Sequence, residues 1–374
     1  MTLLESVEDA RKQPTAKEVE YTPKAEFDGT SGYLQTRGLT EQPKDFTALL
    51  EQFGYDTNEV RIVGEPRTSR WQTYDERWLT SYRFTLAPAL TSDLEDLMKL
   101  ASRGKAHKQT SLTGTGVFNF QAGDQQIGKI DGDGTEGTIQ RFLESIDVAK
   151  AEYRSLRKRR NIGGINLMFP GDCIEGVVSQ KGKNQWRTDL TVTEQIRIFR
   201  RLLMRAVEEF APLSDNVWLR VVNGNHDEAQ RQQNTRPDDG FATEQAIAVA
   251  DALEINPGRY GHVKVEVPPL DQSWMTVESF DTIYTIAHGH QWRRGKAMDW
   301  LANQALHATN VSATHLLVHG HEHRWTVDTN GARKIICSPA YDGGSTWLDN
   351  GSHGLRGGLS YVSNGSDVTD MRLV

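Results

Sequence analysis

Residues 217–227 read VWLRVVNGNHD. A run rich in Val, Trp and Leu suits a strand buried on both faces, and it stops at a cluster of amides, glycine, imidazole and carboxylate. The same grammar recurs on either side. INLMFPGD at 165–172 and VFNFQAGD at 117–124 precede it, and YTIAHGH at 284–290 and HLLVHGHEH at 315–323 follow. Between these runs lie amphipathic stretches at 138–156 (TIQRFLESIDVAKAEYRSL), 192–210 and 242–254 (ATEQAIAVADALE), and Thr191 with Glu194 has the spacing of a helix capping box. Alternation of strand and helix predicts an α/β layered domain. Polar clusters just after strands fall where such folds place ligands, so a site is expected at one sheet edge.

The rest of the chain frames that domain. It has 374 residues, 43 Lys+Arg against 50 Asp+Glu, a formal charge of −7, 11 His and 2 Cys. Two cysteines exclude a disulfide-stapled secreted scaffold and suit a reducing compartment. The first 25 residues lack the apolar core of a signal peptide, and no run of about 18 apolar residues could span a bilayer. A cytoplasmic protein is expected (host cytoplasm if the chain is viral), with no membrane partner. Net acidity argues against a general nucleic-acid coat but leaves room for a local basic groove. Residues 1–22 read as a flexible tail, 23–104 as a small α+β accessory domain, 105–116 as a linker and 117–374 as the main domain. Within the accessory domain, helices are expected at 43–53 and 91–102. Strands are expected at 59–63 and 78–86, joined by the polar segment RTSRWQTYDER at 67–77.

Five clusters end the five apolar runs: Gly123-Asp124-Gln125-Gln126, Gly171-Asp172-Cys173-Ile174-Glu175, Asn223-Gly224-Asn225-His226-Asp227, His288-Gly289-His290 and His319-Gly320-His321-Glu322-His323. Mixed oxygen and nitrogen donors suit borderline divalent metals such as Mn, Fe, Zn or Co, and there are more than one ion needs. His321 and His323, two apart on an extended segment, would point the same way and serve two neighbouring ions. His319 reads as a strand-end residue and Cys173 as a small apolar filler. Asp131 and Asp133 read as a turn into the following helix.

In this order and spacing the clusters resemble the calcineurin-like metallophosphoesterase superfamily. Its pattern is Asp-x-His, Gly-Asp-x-x-Asp, Gly-Asn-His-Asp/Glu, a lone His and Gly-His-x-His, and the likeness covers roughly residues 117–337. It implies a metallophosphoesterase β-sandwich flanked by helices and two divalent ions, Mn foremost, with Fe, Zn, Co or Mg as others. By the same resemblance Asp124 and His323 would hold the first ion, Asp172 would bridge, and Asn225, His288 and His321 would hold the second. His226 matches the catalytic histidine and Asp227 its orienting partner. Two positions depart from the pattern. Gln126 stands in place of a histidine, where its oxygen can ligate a hard ion or hold a water; Glu175 replaces the second Asp of its motif. Two ions roughly 3.5–4 Å apart would acidify a bridging water for in-line attack on phosphorus. His226 would then protonate the leaving alkoxide as general acid.

Two basic, aromatic loops adjoin the motifs, SQKGKNQWR at 179–187 and QWRRGK at 291–296. Lys181, Lys183, Trp186 and Arg187, with His290, Trp292, Arg293, Arg294 and Lys296, could track a phosphate backbone and stack bases. The other reading makes these solvated loops whose tryptophans cap the core. The run RSLRKRR at 154–160 either complements a helix dipole or touches DNA. FNFQAGDQQIGKIDGDGT and LMFPGDCIEGVVSQ are most similar to SbcD-type exonucleases and bacteriophage-borne DNA phosphoesterases. That likeness implies a DNA exonuclease acting on single strands or ends. The alternatives are a small-molecule phosphoesterase, on cyclic nucleotides or phosphomonoesters, and a non-catalytic scaffold. The accessory domain would recruit DNA or a replication or repair protein, unless Trp71, Tyr74 and Trp78 are simply its core.

Overall fold

The computed structural model describes residues 23–27, 32–43, 46–57, 60–88, 94–110, 113–177, 187–229, 236–344 and 354–374. The tail expected at 1–22 lies outside them. The chain divides after residue 91 into two compact units.

The first unit contains β1 (Lys24–Phe27), β2 (Gly32–Gln35), α1 (Thr47–Gln52), β3 (Val60–Gln72) and β4 (Trp78–Pro88). Its antiparallel sheet has the order β1-β2-β4-β3. The polar connection expected at 67–77 is mostly strand instead. Arg67 to Gln72 pair with Arg83 to Trp78, and only the turn closed by Thr73 N–H donating to Arg77 O (2.8 Å) is free of the ladder. Backbone pairing here needs no apolar face, which is why hydropathy missed it. Leu34, Leu50, Phe84 and Leu86 form the core, with Phe46 4.9 Å from Phe84. Trp71, Tyr74 and Trp78 are 40%, 106% and 51% exposed, so they are not that core.

The second unit starts earlier than expected. Helix α2 (Leu94–Ser102) packs against α5 (Phe241–Glu254) and buries Leu97 and Ala101, so it opens this unit instead of closing the first. The segment expected as a linker is pinned as well. Asp215 accepts from Thr110 N and Oγ1 and bonds His107 Nε2 at 2.7 Å, while His107 N–H donates to Gly258 O.

From there the chain runs β5 (Gly116–Gln121), α3 (Gly134–Leu156), β6 (Ile162–Pro170), α4 (Val192–Phe210) and β7 (Val217–Val222). After α5 come α6 (Pro257–Tyr260), β8 (Val263–Glu266), β9 (Trp274–Ser279), β10 (Thr282–Ala287), α7 (Ala297–His307) and β11 (Leu316–His319). It ends with β12 (Thr326–Asn330), β13 (Arg333–Cys337), β14 (Leu359–Asn364) and β15 (Asp367–Leu373). One sheet has the order β15-β14-β5-β6-β7-β8, parallel from β5 to β8; the other has β12-β13-β11-β10-β9.

The sheets face each other across Met168, Val222 and Tyr361 on one side and Tyr284, Ile286, Val318 and Ile336 on the other. Helices cover the outer faces. Phe142 packs on Phe120 at 6.1 Å and Phe199 on Phe169 at 6.0 Å, while Leu301 of α7 lies against Leu317 and Ile335. Every residue of β5, β6 and β7 is buried, which explains their unbroken apolar runs. The α/β sandwich flanked by helices is the architecture expected. Among the described residues no helix is long and apolar enough to cross a membrane.

Candidate metal centre

The five polar clusters follow β5, β6, β7, β10 and β11, and backbone bonds tie them together. Asp124 N–H donates to Gly171 O (3.1 Å), Gln126 N–H to Asp172 O (2.9 Å) and Gly320 N–H to His288 O (2.9 Å). Asp124, Gln126, Asp172, His321 and His323 all have φ between 44° and 67°. They are five of nine described non-glycine residues in the left-handed region. Each costs free energy, so their concentration here marks a site built for more than stability. The glycines permit the close approach: a Cβ on Gly224 would sit 2.1 Å from Asp172 Oδ1, and one on Gly320 2.3 Å from Asp124 Oδ2.

Asp172, His288 and His321 bring three ligand atoms within 4.8 Å of one another. His288 Nδ1 lies 2.8 Å from Pro170 O. A carbonyl only accepts, so Nδ1 carries the proton and Nε2 of the neutral ring is a lone pair. That lone pair faces Asp172 Oδ2 at 3.0 Å and His321 Nδ1 at 3.2 Å. With His321 Nδ1 unprotonated, three acceptors converge on one point and call for a cation between them. Without a metal a proton does this work. Burial opposes protonation of His288, but the Asp172 charge pushes it up to about 9, and burial with His288 alongside pushes His321 down to about 4. Despite burial, His288 and His226 hold Asp172 well below the usual carboxylate range. A carboxylate with two imidazoles suits Mn, Fe, Zn or Co, so these residues fit one divalent ion. Asn225 belongs to the same turn, between Gly224 and His226, whose N–H donates to Asp172 Oδ1 at 2.8 Å.

His226 borders this cluster, with Nε2 3.8 Å from Asp172 Oδ2. The orienting role expected of Asp227 falls to Glu175, whose backbone O and Oε2 lie 3.1 and 3.2 Å from His226 Nδ1. Asp227 instead accepts from the N–H groups of Cys173 (3.0 Å), Ile174 (3.2 Å) and Gly224 (2.7 Å), tying the loops after β6 and β7. Burial and the Asp172 charge push it up to about 7 against the pull of those donors. Burial opposes protonation of His226 too, but Asp172 and Glu175 push it up to about 9.

The first-ion half is different. Asp124, wholly buried, accepts from His321 N–H at 3.1 and 2.9 Å, and His323 Nε2 lies 3.3 Å from its Oδ1. Gln126 Oε1 accepts from Lys129 Nζ at 2.7 Å, and the same ammonium pairs with Asp342 Oδ2. His323 Nδ1 lies 3.9 Å from Asp342 Oδ1. The expected ligand oxygen of Gln126 thus already serves a cation, and a second divalent ion does not fit this arrangement. Nor is the His321–His323 segment extended. β11 stops at His319, both residues have left-handed φ, and the His321 ring faces His288 while that of His323 faces Asp124 and Asp342. Lys129 and Asp342 were missed in the sequence. Asp342 follows the apolar strand β13 and precedes two glycines, the pattern that marked the other clusters.

Of the expected substrate residues, Lys181, Lys183 and Trp186 lie outside the described residues. Arg187 pairs with Asp131 at 3.2 Å. Trp292 packs 4.7 Å from Trp300 and 5.2 Å from His319, with its ring against the core. His290 sits 5.5 Å from His288, beside the donor set. Arg293, Arg294 and Lys296 are exposed in the loop that follows; Arg294 lies 3.7 Å from Glu322 and Lys296 2.8 Å from Asp299. Of the run at 154–160, Arg159 and Arg160 pair with Asp370 of β15.

No family model and no curated protein matches this chain. Among solved structures it is similar to a novel archaeal phosphodiesterase (11% identity, TM-score 0.33, covering 69% of this chain and 99% of that one). A predicted phosphoesterase from Streptococcus pneumoniae gives 12% and 0.28, with 66% and 82% covered. Vps29 from Entamoeba histolytica complexed with zinc gives 14% and 0.33, with 67% and 88% covered. Likenesses this remote say nothing of this chain's activity, which its own donor set must carry.

Proposed function

We propose that this protein is a divalent-metal-dependent phosphodiesterase and that its substrate is DNA, as a single strand or at an end. The observation that carries the chemistry is the convergence of Asp172, His288 and His321 beside a histidine held as a proton donor. What a bound ion supplies here is positive charge against phosphoryl oxygens and acidification of water; Mn is our first choice. The protein's own residues do the rest. His226 Nδ1–H donates to the backbone O of Glu175, whose carboxylate lies 3.2 Å away, leaving Nε2–H to protonate the leaving oxygen. That step matters most for an alkoxide, the leaving group of a sugar diester. Asp227 keeps the loops after β6 and β7 in register, which fixes His226 against Asp172.

Two surface features support a polynucleotide. Arg293, Arg294 and Lys296 are exposed directly after His290, where a phosphate chain would pass. In the first unit the β3–β4 hairpin exposes Trp71, Tyr74 and Trp78, with the Arg70 guanidinium 4.9 Å over the Trp78 ring, a combination suited to base stacking. Manganese-loaded protein should degrade labelled single-stranded DNA, and Asp172→Ala and His226→Ala should abolish or severely reduce it. Turnover of a small phosphodiester without DNA cleavage would reassign the substrate. No turnover of either, with no ion bound, would leave a binding scaffold.

A further inference from the structure

The disagreement at Gln126 has a partner in the same turn, Lys129. Among the described residues, Asp172, His288 and His321 are the one place where three His, Cys, Asp or Glu donors converge. Beside the residues that the resemblance assigned to the first ion there is a lysine. Lys129 is only 8% exposed, and its ammonium bonds Gln126 Oε1 and Asp342, which is 2% exposed. A buried ammonium is retained only where anions and acceptors surround it, and these two residues, with Asp124 and His323 beyond, make such a place. Its location is set by the backbone. Lys129 N–H donates to Gln126 O at 3.1 Å in a turn closed over Gly128 (φ 103°), so both side chains leave the same turn.

We propose that this is a one-ion centre in which Lys129 supplies the positive charge that a first metal would otherwise bring. The inference deepens the phosphodiesterase reading and rests on it for the reaction, though not for the ion count. A glutamine where histidine is expected then has a physical reason. An amide oxygen accepts well from an ammonium, whereas a neutral histidine nitrogen at this position would also be a strong donor to a metal. Two N–H groups of the ammonium hold Gln126 and Asp342, which fixes its charge on the turn whose Gln126 N–H bonds Asp172 O.

Equilibrium dialysis of the full chain against Mn(II), with elemental analysis and electron paramagnetic resonance, reads the count directly. Wild-type protein should bind one ion per chain with the spectrum of isolated Mn(II). The double variant Gln126→His/Lys129→Ala should bind two and show exchange coupling between neighbouring ions. Two coupled ions in the wild type would overturn the inference, as would a folded double variant that still binds one. If the double variant does not fold, the wild-type count decides alone. DNA cleavage by a wild type carrying two ions defeats the lysine and spares the phosphodiesterase. One ion without cleavage of any phosphodiester does the reverse, and no ion at all defeats both.

Discussion

His226 concentrates the chemistry in one side chain, and its environment sets a pH signature. Burial works against its protonation, but Asp172 and Glu175 raise it to about 9. A general acid acts while protonated, so activity should hold at neutral pH and fall as pH rises through that value. A bound cation lowers it, so the alkaline limb should appear at or below about 9. His226→Ala should lose roughly 10²–10⁴ in kcat on DNA. It should also lose the limb, and should lose far less on a diester with a nitrophenolate leaving group. An unchanged pH profile in the variant would remove His226 from the proton path. The donors themselves were legible because each sits at a strand end beside glycine. Glu175 and Lys129 were not, since their roles depend on which side chain lies across the turn. Spacing carries no information about that.

At the level of elements, the site is a set of loops that only close backbone approach can assemble. Gly224→Ala would drive a Cβ to within 2.1 Å of Asp172 Oδ1, and Gly320→Ala one to within 2.3 Å of Asp124 Oδ2. Each should weaken Mn(II) binding by roughly 10–100-fold, the usual cost of disturbing what supports a ligand. Gly258→Ala, whose Cβ meets nothing nearer than 3.8 Å, should leave titrated affinity unchanged. Helix α4 contributes from its first turn, where Gln195 Oε1 accepts from Gly176 N–H at 2.9 Å and so steadies the loop after β6. Thr191 and Glu194 form the capping box that starts this helix, as their spacing foretold. Thr191→Ala should cost about 1 kcal/mol by denaturant unfolding. Caps and buried strands are readable because local chemistry fixes them. β3 beyond Val63 was not, because its residues 67–72 are exposed and join β4 through backbone pairing.

For the whole molecule, the decisive fact is that the chain carries separate cores. The first unit is held by Leu34, Leu50, Phe84 and Leu86, and the second by the facing sheets around Tyr284 and Tyr361; the clusters share no residue. All of the donor residues lie in the second unit. Composition gave no sign of where the units part, because Leu97 and Ala101 of α2 would suit either core and only packing against α5 assigns them. Phe84 is 1% exposed and lies 4.9 Å from Phe46. Removing its ring leaves a cavity that costs about 3–5 kcal/mol, enough to unfold a small unit with a modest core. Phe84→Ala should therefore bring forward one calorimetric transition and leave the other in place. At a temperature between the two, bound Mn(II) per chain should match the wild type. If DNA affinity falls there while turnover of a small phosphodiester does not, the exposed hairpin of the first unit is a contact for the polynucleotide and plays no part in holding the ion. Loss of the ion together with the first transition would instead make the second unit's site dependent on the first.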